Sequence, residues 1–138
     1  QAVRKSPLFE HLDERWQKRL IEAATVCSFS AGEVIIREGD TVDSLFIVLS
    51  GQVQVSSSIG ARMLQLGSLG AGAYFGEVSL LSGKAATASI EARDADVGVL
   101  EIGREILLEL LDEDPDTRRI LEETTLTRAK DTISKALK

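Results

Sequence analysis

A glycine followed at once by a glutamate and a short helix-forming run is where residue types and spacing in this sequence bear on chemistry. Residues 74–83 read Tyr-Phe-Gly-Glu-Val-Ser-Leu-Leu-Ser-Gly. A helix that starts directly after Gly76 offers unpaired backbone N–H groups and the positive end of its dipole, and a residue without Cβ lets an anion approach the main chain closely. Glu77 adds a side-chain acceptor, and Val78 and Ser79 supply the next backbone donors. Together they form a small cradle for an anionic ligand. Taken alone, the same residues also read as a plain turn with Leu80 and Leu81 in the core. Other chemistries lack material. His11 is the only histidine and Cys27 the only cysteine, which argues against a metal centre, an internal disulfide and a Cys/His nucleophile. No Gly-x-Ser-x-Gly and no Walker loop occurs. A non-enzymatic binding role without a cofactor is therefore expected. Cys27, within Val26-Cys27-Ser28-Phe29, is expected as a small buried hydrophobe on a strand.

The cradle has to be positioned by what surrounds it. Ahead of it, Leu12, Trp16, Leu20 and Ala23/Ala24 share one face at three-to-four-residue spacing, predicting an amphipathic helix over 13–24 with Asp13 as N-cap. From 26 to 102 the pattern changes to short β-rich runs at 26–29, 34–37, 45–50, 52–57, 63–69, 87–92 and 97–102. Glycines separate them where tight turns need positive φ. Seven or eight such strands predict an antiparallel sandwich or jelly roll. Beyond Gly103 the chain becomes helical again: 104–111 carries Ile106, Leu107, Leu110 and Leu111 on one side, and Pro115 interrupts. A second helix is expected over 116–137, its apolar stripe formed by Ile120, Leu121, Leu126, Ala129, Ile133 and Leu137. That stripe either packs on the roll or pairs with a second copy as a homodimer contact.

Three ordered motifs in this arrangement resemble the cyclic nucleotide-binding domain family. Gly32-Glu33-Val34-Ile35-Ile36-Arg37-Glu38-Gly39-Asp40 is similar to the family's first strand pair. Leu45-Phe46-Ile47-Val48-Leu49-Ser50-Gly51-Gln52-Val53-Gln54-Val55 is similar to its hairpin, and Phe75-Gly76-Glu77 through Leu81 to its phosphate-binding cassette. The resemblance spans nearly the full chain. It implies a mainly β fold, an antiparallel β-roll (double-stranded β-helix) with an N-terminal helix and two C-terminal helices. It also implies one domain over 1–138, with the roll at 25–102, the cassette at 74–89 and lid or hinge helices at 103–138. In the family, backbone N–H groups and an arginine grip the cyclic phosphate, and the cassette glutamate bonds the ribose 2′-hydroxyl. By position, the ligand-binding residues are then Phe75, Gly76, Glu77, Val78, Ser79, Lys84, Ala86 and Thr87.

One of these departs from the family pattern. Where the family usually reads Pro-Arg-[ST]-Ala-[ST], this chain reads Ala85-Ala86-Thr87-Ala88-Ser89, so Ala86 replaces the phosphate arginine. Charge-assisted hydrogen bonds contribute roughly 1.5–3 kcal/mol each, and a lost partner in a buried pair costs roughly 3–5 kcal/mol, so cAMP or cGMP affinity should fall about a hundredfold to a thousandfold. Lys84 lies two residues away, but an ammonium lacks the planar fork that grips phosphate at two points. Thr87 occupies a place where some members contact guanine, and is equally an ordinary strand threonine. Arg128 is placed to cap a base, or else to be solvated or bonded to Glu122 or Asp131.

Composition bounds the function. The 138 residues suit one core, and a net charge of −6 argues against a nucleic-acid surface. The basic points Arg15/Lys18/Arg19 and Arg118/Arg119 are interleaved with acids at helical spacing, as on a solvated face. No apolar run approaches the roughly 18 residues of a membrane helix, and 1–12 lacks a secretory h-region, so a cytoplasmic location without membrane insertion is expected. A chain opening on Gln1 is expected to be processed or part of a longer protein carrying an effector domain. Two functions follow: a cyclic-nucleotide sensor with weakened phosphate recognition, or a degenerate member serving as a docking or dimerisation module.

Overall fold

Extended chain sends successive side chains to opposite faces, and here the two faces of one sheet feed two separate cores. In the computed structural model, which describes residues 6–59 and 61–136, the chain runs α1 (Pro7–Glu10), α2 (Glu14–Ala23), β1 (Thr25–Phe29), β2 (Val34–Ile36), β3 (Ser44–Ser50), β4 (Val53–Ile59), β5 (Arg62–Leu69), β6 (Tyr74–Phe75), α3 (Glu77–Ser82), β7 (Ser89–Glu91), β8 (Val97–Gly103), α4 (Arg104–Glu113) and α5 (Pro115–Ala136). The strands form two four-stranded sheets, ordered β1-β8-β3-β6 and β2-β7-β4-β5. Every pairing is antiparallel.

Phe46 and Val48 of β3, Phe75 of β6 and Val97 and Val99 of β8 point toward the second sheet, meeting Ile36, Val53 and Ile90 inside the roll. The alternate residues Leu45, Ile47, Tyr74, Leu100 and Ile102 face the helices, where Leu8, Phe9, Trp16, Leu20, Leu107, Leu110 and Leu121 cover them. The phenyl rings of Phe46 and Phe75 stack at 5.1 Å and 12° inside the roll. Each fully buried aromatic or branched side chain contributes about 1.5–3 kcal/mol, so both faces of this sheet hold the fold together.

The N-terminal helix begins as its sequence requires: Asp13 caps it by accepting from the backbone N–H of Trp16 at 2.9 Å. Ala23, expected on the buried face, is exposed, because the helix is at its last turn there and Ile21 packs instead. The four-residue α1 and the two-residue β6 are too short to leave a periodic pattern and had no sequence counterpart. The expected strand at 87–92 contracts to Ser89–Glu91. The stop before α5 is set by Asp114, whose carboxylate accepts from the backbone N–H of Asp116 at 3.1 Å while Pro115 opens the helix. Along α5, Leu121 is buried and Ile120 half-buried, but Ala129 is exposed and Leu126 is 56% exposed, so neither joins the stripe. Leu137 and the side chain of Ile133 lie outside the described residues. Cys27 is half-buried against the roll interior, and its thiol donates to Glu101 at 3.6 Å.

Candidate functional site

β6 ends at Phe75 and α3 starts at Glu77, leaving Gly76 alone to turn the chain. It does so at φ 96°, and a Cβ there would lie 2.6 Å from the main-chain oxygen of Ser44. Both the conformation and the space therefore require glycine. The turn places Glu77 and Ser79 beside Phe75 on the wall of a cavity of about 420 Å³, within the range of small-molecule sites. Ile36, Val55, Leu69 and Ile90 of the roll give it an apolar lining, the loop before β7 contributes Ala86 and Thr87, and α5 contributes Arg128 and Ala129.

Glu77 is the polar feature that defines this cavity. Its side chain is buried, with the residue only 1% exposed. Oε1 accepts a hydrogen bond from Nη1 of Arg128, whereas Oε2 has no partner among the described residues. Burying an unpaired acceptor costs about 1–3 kcal/mol, more for a charged group, so such an atom on a cavity wall is suited to a donor brought by a ligand. Arg128 also donates through Nη2 to the carbonyl of Tyr74 at 2.7 Å, and its guanidinium lies 5.4 Å from the Tyr74 ring centre. The Tyr74 hydroxyl bonds Thr124, whose own hydroxyl donates to the Ile120 carbonyl at 3.0 Å, leaving Tyr74 as the donor of the pair. Burial pushes the Tyr74 phenol above its usual range; the neighbouring Glu77 charge adds to this, while the Thr124 bond and Arg128 oppose it. The result is a clasp: two residues of α5, Arg128 and Thr124, hold β6 and α3 against the helix that closes one side of the cavity.

Ala86 is held by its main chain. Its N–H donates to the Asp40 carbonyl and its own carbonyl accepts from the Gly39 N–H, both at 2.8 Å. Its side chain lines the cavity and packs against the core of the roll.

Of the residues the sequence nominated, Phe75, Gly76, Glu77, Ser79, Ala86 and Thr87 gather at this cavity. Val78 lies in the first turn of α3, and its side chain is outside the described residues. Lys84 stands exposed on the loop after α3, away from the wall, with its N–H bonded to Ser82 Oγ at 3.1 Å. Arg128 does not project freely: it bonds Glu77 and the Tyr74 carbonyl. No local signal announces those contacts, because the partners are more than fifty residues apart in sequence and meet only once α5 folds back over the roll. Among the described residues, no cluster of three or more His, Cys, Asp or Glu could hold a metal ion, and no helix is long and apolar enough to cross a membrane.

Comparison with known proteins gives a consistent result. The family model described as cyclic nucleotide-binding domain matches residues 26–114. The chain is 40% identical over 99 residues to a cGMP-dependent protein kinase of Toxoplasma gondii, covering 72% of this chain and 10% of the kinase. It is 30% identical over 128 residues to a cyclic nucleotide-gated potassium channel of Mesorhizobium japonicum, covering 93% of this chain and 34% of the channel. The chain thus spans about a third or less of the length of these curated relatives. Among solved structures, the Thermus thermophilus catabolite activator protein superposes with a TM-score of 0.79 at 29% identity, over 92% of this chain and 60% of that one.

Proposed function

The chain belongs to the cyclic nucleotide-binding domain family, and from that membership we propose that it is the sensor module of a larger cytoplasmic protein, binding a cyclic nucleotide weakly and passing that event to an effector. The observation that carries this reading is Oε2 of Glu77, a buried acceptor without a protein partner on the wall of an apolar cavity. Glu77 occupies the position that the family gives to the ribose hydroxyl contact. The roll at 25–102 would form the receptor and the helices at 103–138 the moving part. Phosphate recognition is weakened because position 86 presents a methyl group.

Coupling follows from the clasp. The carboxylate available to the ligand is the one that anchors Arg128 of α5, so a ligand engaging Glu77 acts on the group that sets the helix position. A ligand shifts such an equilibrium only by binding one arrangement more tightly than the other. The relatives that carry kinase and channel regions suggest the kind of effector such a module serves.

A docking or dimerisation module that binds no nucleotide is the second reading, favoured by Ala86 and by Leu126, exposed on the outer side of α5. Isothermal titration with cAMP and cGMP to millimolar concentration, on the unmodified chain and on Ala86→Arg, separates the two. Measurable binding that strengthens about a hundredfold in the variant supports the sensor. Silence from both chains, each folded by circular dichroism, supports the docking module.

A further inference from the structure

We propose that the cavity favours an uncharged nucleoside over the cyclic nucleotide of the same base. This rests on the sensor reading above, in that it takes the cavity to be a ligand site, and it concerns which ligand the site selects. The charges on the wall carry it. Glu77 on the wall sets its carboxylate against one guanidinium, that of Arg128, which lines the same cavity. That guanidinium is already engaged by Glu77 and by the Tyr74 carbonyl. Position 86 brings no charge, and Lys84 stands off the wall. Arg37 is exposed and lines a neighbouring surface hollow of about 720 Å³ that shares Ala86 and Thr87 with this cavity, without itself lining the cavity.

A cyclic phosphate entering this space brings a further negative charge beside Glu77. It must shed water, and among the described lining residues the one cationic side chain, Arg128, is already engaged; burying a charge without a partner is unfavourable. A ribose hydroxyl is different: it is a donor, and Oε2 of Glu77 is an acceptor without one. The apolar walls formed by Val55, Leu69, Phe75 and Ile90 are indifferent to whether the ring they enclose carries a phosphate. Removing the phosphate gives up contact with the backbone N–H groups at the start of α3 but removes the larger cost of a buried charge without a counter-ion, and it leaves the Glu77 and apolar contacts in place. Like-charge opposition at a binding surface readily costs a factor of about ten or more in affinity.

The test is titration of the unmodified chain with adenosine and guanosine against cAMP and cGMP, at low and high salt. The expected result is a nucleoside that binds about tenfold tighter or better than its cyclic phosphate. Its affinity should be nearly independent of salt, while that of the cyclic phosphate improves as salt screens the carboxylate. Ala86→Arg should reverse the order by restoring the cation. A cyclic nucleotide that binds the unmodified chain as tightly as the nucleoside, or weakens with added salt, overturns this inference and leaves the sensor reading in place. Absence of binding by all four ligands to the folded chain overturns both.

Discussion

Replacing Arg128 with methionine tests the clasp directly. The substitution keeps the length and apolar stem of the side chain, and removes the donors to Glu77 Oε1 and the Tyr74 carbonyl. Glu77, 1% exposed and already lacking a partner on Oε2 among the described residues, then also loses the Arg128 bond to Oε1. Removing one partner of a buried pair costs about 3–5 kcal/mol. The Arg128 side chain is 34% exposed, so water already screens part of the interaction, and a loss of about 2–3 kcal/mol is the better expectation. At about 3–5 °C per kcal/mol for a chain of this size, melting should drop by roughly 10 °C. Urea unfolding followed through Trp16, the sole tryptophan and a buried one, measures the same quantity isothermally. The double variant Glu77→Met with Arg128→Met removes the stranded charge along with its partner, and should recover most of the loss. A single Arg128→Met change that costs less than about 0.5 kcal/mol, or a double variant that loses the sum of the singles, would refute the view that this pair ties α5 to the cavity wall.

Two further outcomes follow from the same region. Tyr74 is the only tyrosine, so tyrosinate absorbance during alkaline titration reports it alone. Its midpoint should lie above the ordinary value of 10. Because the folded chain holds this proton more tightly than the unfolded one, the associated stability is intact below about pH 10 and is lost as pH rises through the folded midpoint; a midpoint at or below 10 would remove the burial argument. Gly76→Ala forces a Cβ to 2.6 Å from the Ser44 carbonyl at φ 96°, whereas Gly83→Ala at φ 72° meets nothing within 4 Å. Denaturant midpoints should therefore show a loss of about 3 kcal/mol for the first and about 1 kcal/mol for the second, and equal losses would show that the close approach at Gly76 is relieved by movement.

Much of the architecture is legible in the sequence because it is written in local patterns. The alternation in Leu45-Phe46-Ile47-Val48 and the glycines between runs specify strands, and the Asp13 cap with Trp16 and Leu20 specifies a helix. Phe75-Gly76-Glu77 marks the site for the same reason: the turn, the close backbone approach and the carboxylate are adjacent in the chain. The contacts of Arg128 are of another kind. Helical spacing nominates Glu122 and Asp131 as neighbours of that arginine, but it gives no sign of the bonds to Glu77 and Tyr74, which form across a fold that brings the chain's last helix back over its middle. The exposure of Leu126 was hidden likewise, because which side of α5 meets the roll is decided by Thr124 and Arg128 as much as by apolar content.

Ala86 serves two ends with different atoms. Its amide and carbonyl secure the loop to Gly39 and Asp40, while its side chain lines the cavity and packs against the core of the roll. The main-chain anchorage is available to any residue at this position, whereas the chemistry of the cavity wall changes with the side chain. Under the proposed sensor function, one substitution here retunes what the domain listens to while the hydrogen bonds that hold the loop stay unaltered.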